Sequence, residues 1–265
     1  MNPLNKLNEV NSLKNPLIQR LRRLEKVRER REKNLFLAEG EKMTRETIAC
    51  GLARTVLVVR GQEERYASLL LSAQTADVDC FLVSEGIIEA LSTAKTPQGI
   101  LTVAEIPRQT SKLSGMRILA LDGVQDPGNV GTMIRTADAA GMDGVIIGYG
   151  CADPFGPKAV RGSMGSVLRL PIFSTSEATN SLPYILSDLK MRGYSIVSTE
   201  LNGLDFFEAC PTPPMVLVIG NEGRGISEEI RSVATHHLTL PMRGGAESLN
   251  AAIAAGIMMY EVARR

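Results

Sequence analysis

Three short polar stretches carry most of the residues that could do chemistry. They read DGVQDPGNVGTMIRT (122–136), IGNEGRG (219–225) and LPMRGGAESLN (240–250). Each combines glycine with a carboxamide, a pairing suited to holding a ligand through backbone groups and a few placed polar atoms. The glycine spacing Gly128-x-x-Gly131 is neither the dinucleotide fingerprint nor a phosphate-binding G-K-[ST] loop. Arg135 follows four residues later. It could hold an anion, or it could pair with Asp138 one turn on. Asn129 suits a helix cap, with orientation of Arg135 or substrate as a second task. Glu222 is the only carboxylate in its loop. It could anchor that loop, meet an arginine across a subunit interface, or touch substrate. Ser248 and Asn250 open the last helix, where capping and orienting a substrate hydroxyl both fit. Leu240 and Leu249 could pack in the core or offer an apolar face to a ligand.

These loops need a frame that brings them together. Apolar runs and helical repeats alternate along the chain, which predicts an α/β protein. A first set of strands and helices spans 34–106. A polar stretch, PRQTSKLSG (107–115), reads as a linker. A second alternation fills 116–265. All three loops directly follow predicted strands of this second set. Ligands of parallel α/β sheets lie at such carboxyl ends. Residues 12–33, SLKNPLIQRLRRLEKVRERREK, read as one basic helix with Leu17, Leu21, Leu24 and Val27 on a packing face.

The 265 residues carry a net charge of +1, but the charge is unevenly spread. Residues 1–33 hold ten Lys or Arg against four Asp or Glu. A basic arm, with Arg22, Arg23, Arg30 and Arg31 as its candidate contacts, points to an anionic partner such as nucleic acid. The four cysteines are scattered and the two histidines adjacent, so no metal-ligand spacing occurs. No apolar run reaches membrane-spanning length, and the first residues lack an apolar signal core. The expected compartment is the cytoplasm.

The motifs N-x-G-x-x-x-R-T (129–136), I-G-N-E-G-x-G (219–225) and L-P-M…E-S-L-N (240–250), in this order, resemble those of SpoU/TrmH-type RNA ribose 2′-O-methyltransferases of the SPOUT class. The resemblance covers 116–265. The stretch NPLIQRLRRL…REKNLFLAEG (15–40) is similar to the SpoU substrate-binding domain, which is assigned here to the α/β domain at 34–106. The resemblance implies that the second domain is a SPOUT α/β-knot, a parallel sheet with helices on both faces whose trefoil knot holds S-adenosyl-L-methionine in a bent shape. It also implies roles for single residues. Gly220, Leu240 and Leu249 match cofactor-contact positions. Arg135 matches the residue that activates the ribose 2′-hydroxyl, with Asn129, Glu222, Ser248 and Asn250 as its catalytic companions. Lys158 and Arg161, in PKAVRGSMGS, match a substrate-side loop. By the same resemblance the knotted domain forms a homodimer, and the small α/β domain and basic arm bind RNA. Ribosomal RNA is the expected substrate, with transfer RNA as the alternative. A non-catalytic ribosome assembly factor is a rival reading, opposed by the intact motifs. One departure stands out: many relatives continue after S-L-N with Val-Ser, where this chain has Ala251-Ala252.

Overall fold

The computed structural model describes residues 7–108, 115–175 and 181–265. The chain forms two compact units, Met1–Arg108 with Phe155–Leu168, and Gln109–Pro154 with Arg169–Arg265. Most of the expected linker, 109–114, lies outside the described residues.

The first unit contains, in chain order, β1 (Asn8–Val10), α1 (Pro16–Arg23), α2 (Val27–Lys33), β2 (Leu35–Glu39), α3 (Glu41–Ala49), β3 (Ala53–Val59), α4 (Ala67–Thr75), β4 (Asp79–Val83), α5 (Glu85–Leu91) and β5 (Ile100–Glu105). The sheet order is β1-β4-β3-β5-β2. β1 and β3 run parallel to β4, while β5 runs antiparallel to both β3 and β2. Alternation along β3 splits the core. Leu57 and Val59 face a cluster with Ile18, Leu21, Leu24, Ile87 and Ile88, and Val56 and Val58 face Tyr66, Leu69 and Leu70.

The N-terminal basic segment is therefore not a separate arm. Ile18, Leu21 and Leu24 belong to the first core, with Leu17 packed against it, while Val27, expected on the same face, is exposed. Nor is it one helix. Asn15 caps α1 by accepting from the Leu17 N–H at 2.8 Å, and Pro16 occupies the first turn. The helix stops at Arg23, and Lys26 is extended. Arg30 explains the break. Its guanidinium donates to the carbonyls of Leu24 at 2.6 Å and Glu25 at 2.8 Å, and the residue is only 3% exposed. A cation on the carbonyls that end a helix satisfies acceptors the helix cannot.

The second unit holds β6 (Arg117–Leu121), α6 (Pro127–Ala139) and β7 (Gly144–Ile147). The chain then enters the first unit through α7 (Pro157–Ser163) and returns through α8 (Ser166–Arg169). It continues with β8 (Ile172–Ser174), α9 (Leu182–Met191), β9 (Ser195–Asp205), α10 (Phe206–Ala209), β10 (Met215–Ile219), α11 (Glu228–Val233), β11 (His236–Thr239) and α12 (Ala251–Arg264). The sheet order is β11-β9-β10-β6-β7-β8, parallel at every pairing. One sheet face packs Ile118, Ala120, Val216 and Val218 against Leu182, Leu186 and Leu189 of α9 and Ile230 of α11. On α12, Gly256 approaches α6 closely, since a Cβ there would lie 3.4 Å from Thr136 Cγ2.

Residues 155–168, expected in the second domain, belong to the first unit. The Phe155 ring lies 5.5 Å from that of Phe36, and α7 buries Ala159 and Val160. Apolar burial decides the assignment over sequence order.

Candidate active site

Order at the site begins with Asp126. Its carboxylate accepts from the Asn129 N–H at 2.9 Å and caps α6, with Pro127 in the first turn. The cap expected at Asn129 thus falls three residues earlier, and the Asn129 side chain is released for other work.

That side chain joins a chain of hydrogen bonds. Asn129 Nδ2 donates to Glu222 Oε1 at 3.0 Å, and Asn129 Oδ1 accepts from Asn250 Nδ2 at 3.1 Å. Asn250 Oδ1 in turn accepts from the Ala252 N–H at 2.9 Å and the Ile253 N–H at 3.3 Å, capping α12. The direction of the chain is dictated by its ends. An ionised carboxylate only accepts and helix N–H groups only donate, so both carboxamides must be oriented as found. Each amide nitrogen has a second N–H that makes no hydrogen bond among the described residues. All three motif loops therefore meet through side chains that sequence alone could only place loop by loop.

Glu222 also accepts from the backbone N–H groups of Gln125 at 3.1 Å and Asp126 at 3.2 Å. Burial pushes its carboxyl up. Donation from Asn129 and from the backbone N–H groups of Gln125, Glu222 and Asp126 outweighs this and holds it below the usual carboxylate range. Glu222 is a loop anchor with the negative charge retained.

The 220–226 turn is fixed independently. Asn221 Nδ2 donates to the Gly123 carbonyl at 2.7 Å, and Asn221 Oδ1 accepts from the Gly223 and Arg224 N–H groups, both at 2.9 Å. Asp122 accepts from the Ser227 N–H at 2.7 Å. Gly220 is buried with its neighbours so close that a Cβ would lie 2.5 Å from both the Gly225 oxygen and the Ile226 nitrogen. Sequence reading missed Asp122, Asp126 and Asn221. An Asp directly before Pro-Gly-Asn was the available signal for the cap.

Arg135 is exposed, and among the described residues no hydrogen bond or ion pair takes up its guanidinium. The alternative pairing with Asp138 is absent, because Asp138 binds Arg169 at 2.7 Å. Ser248 is exposed and likewise stands outside the hydrogen-bonded chain. Leu240 is 9% exposed and Leu249 38% exposed, so only Leu249 presents a substantial apolar face. Of the basic candidates, Arg22, Arg23, Arg31, Lys158 and Arg161 are exposed on the first unit. Arg30 is withdrawn from that set by its burial. Lys158 and Arg161 ride on α7, and Arg161 reaches Thr93 Oγ1 at 3.4 Å.

Several glycines in these loops are not demanded by internal packing. A Cβ at Gly244 or Gly245 would meet nothing within 4 Å, and at Gly223 only Asn221 Oδ1 at 3.7 Å. Such glycines keep backbone open to a ligand.

Comparison with known proteins identifies the family of the chain. Residues 116–260 match the SpoU rRNA Methylase family, and 15–102 match an MRM3-like substrate binding domain. The chain is 37% identical over 238 residues to the 23S rRNA (guanosine(2553)-2′-O)-methyltransferase RlmP of Bacillus subtilis (strain 168), covering 89% of this chain and 91% of the relative. Among solved structures, the AdoMet-bound rRNA methyltransferase from Sinorhizobium meliloti superposes with a TM-score of 0.81 at 32% identity, covering 97% and 98% of the two chains. The SpoU methyltransferase AviRb from Streptomyces viridochromogenes, in complex with AdoMet, gives 0.84 at 29% identity, covering 95% and 98%. With its sheet, its three joined loops and a match over more than half its length, this chain belongs to the SpoU rRNA methylase family.

Proposed function

We propose that this protein methylates a ribose 2′-hydroxyl of ribosomal RNA using S-adenosyl-L-methionine. The observation that carries the reading is the hydrogen-bonded chain from Glu222 through Asn129 to Asn250, which joins the three motif loops at the start of the helix that bears Arg135. The residues fit the cofactor. Open glycine backbone at 223 and 244–245 and the apolar face of Leu249 suit a ligand with an adenine ring and a polar tail. Gly220, Leu240 and Leu249 are the residues we assign to it. When bound, it supplies an electrophilic methyl on a sulfonium centre.

The ribose 2′-oxygen would take the methyl carbon as the carbon–sulfur bond of the sulfonium breaks to leave a neutral thioether, and its proton would pass through the neighbouring RNA phosphate to water. Arg135 is a poor base, since a guanidinium stays protonated. Its task is to hold an RNA phosphate and stabilise negative charge growing on the 2′-oxygen. The spare N–H groups of Asn129 and Asn250 orient the hydroxyl, with Ser248 nearby in sequence. Glu222 positions Asn129. Arg22, Arg23, Arg31, Lys158 and Arg161 supply phosphate contacts on the substrate-binding unit.

The finer readings are proposals too. The second unit is knotted and pairs with a second copy. On α12, Ile253, Ile257 and Tyr260 are exposed at helical spacing, with Leu249, Leu201 and Leu204 also exposed. Such apolar surface supports a two-fold interface. No helix of the described residues is long and apolar enough to cross a membrane. An rRNA substrate puts the work in the cytoplasm, where we place the protein.

The test is transfer of labelled methyl to 23S rRNA from cells lacking the gene, with the modified nucleoside mapped by mass spectrometry. A single 2′-O-methyl ribose is expected, and Arg135→Ala should lower its formation by about 10²–10³ with cofactor affinity retained. Label in transfer RNA alone would overturn the substrate. Unchanged turnover in Arg135→Ala would overturn that residue's role.

A further inference from the structure

The turn that follows β7 places an aromatic side chain in solvent beside the first motif loop. Tyr149 is 64% exposed and makes no hydrogen bond among the described residues. Single exposed apolar residues are ordinary. This one differs in how firmly its backbone is held and in what lies next to it.

The turn is tight and braced on both sides. The Cys151 N–H donates to the Gly148 carbonyl at 3.2 Å, and Gly150 has φ +83°, the geometry of a turn whose third position needs glycine. Tyr149 occupies the second position, at the tip. The Gly148 N–H donates to the Leu121 carbonyl at 2.9 Å, and the Ala152 N–H to the Val124 carbonyl at 2.8 Å. Cys151 Sγ donates to the Leu121 oxygen at 3.3 Å. A Cβ on Gly148 would collide with the Leu121 oxygen, and one on Gly150 would lie 4.0 Å from the Gly123 Cα. Gly123 is the residue whose carbonyl Asn221 holds from the other side. The tip therefore sits against the loop that leads through Asp126 into Asn129 and Arg135, at the carboxyl ends of two neighbouring parallel strands.

We propose that Tyr149 is a stacking platform for a base of the substrate RNA, next to the ribose being methylated. A positioned aromatic ring with little backbone freedom to lose is well suited to hold an unstacked base. The Arg135 guanidinium, on the helix that this loop opens, is exposed and without a partner among the described residues. It supplies the charge that a phosphate of the same strand would meet. Tyr149 is thus a positioning residue for RNA. The assignment rests on the RNA methyltransferase reading above.

The chain contains no tryptophan, so Tyr149→Trp places a single reporter at the tip. With full-length protein and an unmodified 23S rRNA transcript, its emission should be quenched on RNA addition and unaffected by S-adenosylmethionine alone. Tyr149→Ala should weaken RNA binding by about tenfold or more, and Tyr149→Phe should bind like the parent, because stacking needs the ring and not the hydroxyl. Unchanged emission while filter binding shows RNA saturated would overturn the proposal. So would parental RNA affinity in Tyr149→Ala, or quenching by cofactor alone. A fall in oligomer mass in Tyr149→Ala would instead assign the ring to contact between copies. Loss of the function reading is read separately: wild-type protein would bind the transcript and transfer no methyl, while Tyr149→Trp would still be quenched by the same RNA.

Discussion

Replacing Gly220 by alanine tests whether the 220–226 turn belongs to the cofactor cradle. The added Cβ would lie 2.5 Å from the Gly225 oxygen and 2.5 Å from the Ile226 nitrogen, with the Gly225 carbonyl carbon also in its way. These are backbone atoms, so no rotamer relieves the clash. Ordinary contact starts at 3.4 Å, and the far side of the turn must retreat by about 1 Å to reach it. The Asn221–Gly225 backbone pair, at 3.0 and 2.9 Å, cannot stretch that far and remain bonded. Overpacking of this kind costs about 1–3 kcal/mol of stability. A 1 Å displacement of positioning groups can cost about 10² in activity. Gly220→Ala should therefore remain folded with a lowered melting temperature and bind S-adenosylmethionine roughly 10- to 100-fold more weakly by calorimetry. Gly86→Ala is the control. Its Cβ meets nothing within 4 Å, and a helical glycine replaced without strain gains about 0.4–1 kcal/mol. Parental cofactor affinity in folded Gly220→Ala would refute the argument.

Three further substitutions separate roles that the structure combines. Asn250→Asp keeps an acceptor for the α12 cap but removes the donor to Asn129, so methyl transfer should fall with melting temperature nearly unchanged, whereas Asn250→Ala should also lose about 0.5–2 kcal/mol. Equal thermal losses in both would show that capping is all Asn250 does. Neutralising Arg22, Arg23 and Arg31 together should flatten the salt dependence of RNA binding by about 0.7–0.9 in log–log slope per lost phosphate contact. Arg30→Ala should act differently, lowering thermal stability by stranding two carbonyls. An Arg30→Ala protein that melts normally but binds RNA poorly would reverse that assignment. Glu222 has its folded-state value depressed, so its stabilising contribution is complete above the ordinary carboxylate range, near about 4.3, and disappears as pH falls through its lower folded value. The gap in melting temperature between wild type and Glu222→Gln should close on acidification, and a gap independent of pH would contradict the charged anchor.

Much of the fold was legible in the residues because local rules agreed with the final packing. The near-continuous apolar runs of β3, β6 and β10 are buried on both faces of their sheets, and the glycine-bearing loops of the second unit fall after strands because a parallel sheet puts them there. The misreadings share a cause. Asn129 and Asp126 are both good caps, and only the fold reveals that Asp126 takes the backbone so that Asn129 can reach Glu222. Arg30 looks like its neighbours in a basic run, yet the break after Leu24 turns it inward onto two carbonyls. For Asn129 a long-range partner overrode a local preference, and for Arg30 the carbonyls five and six residues back did so.

The excursion of residues 155–168 into the first unit bears on how such proteins can be recombined. A cut at 108/109 looks like a seam between cassettes, but it leaves part of the substrate-binding unit encoded inside the methyltransferase half. A chimera joined there would ask α7, shaped around Phe36 and its neighbours, to seat on a foreign sheet. Inheritance of a new substrate-binding unit therefore requires matched changes at two separated places in the gene, and lineages should exchange this unit less freely than a terminal domain.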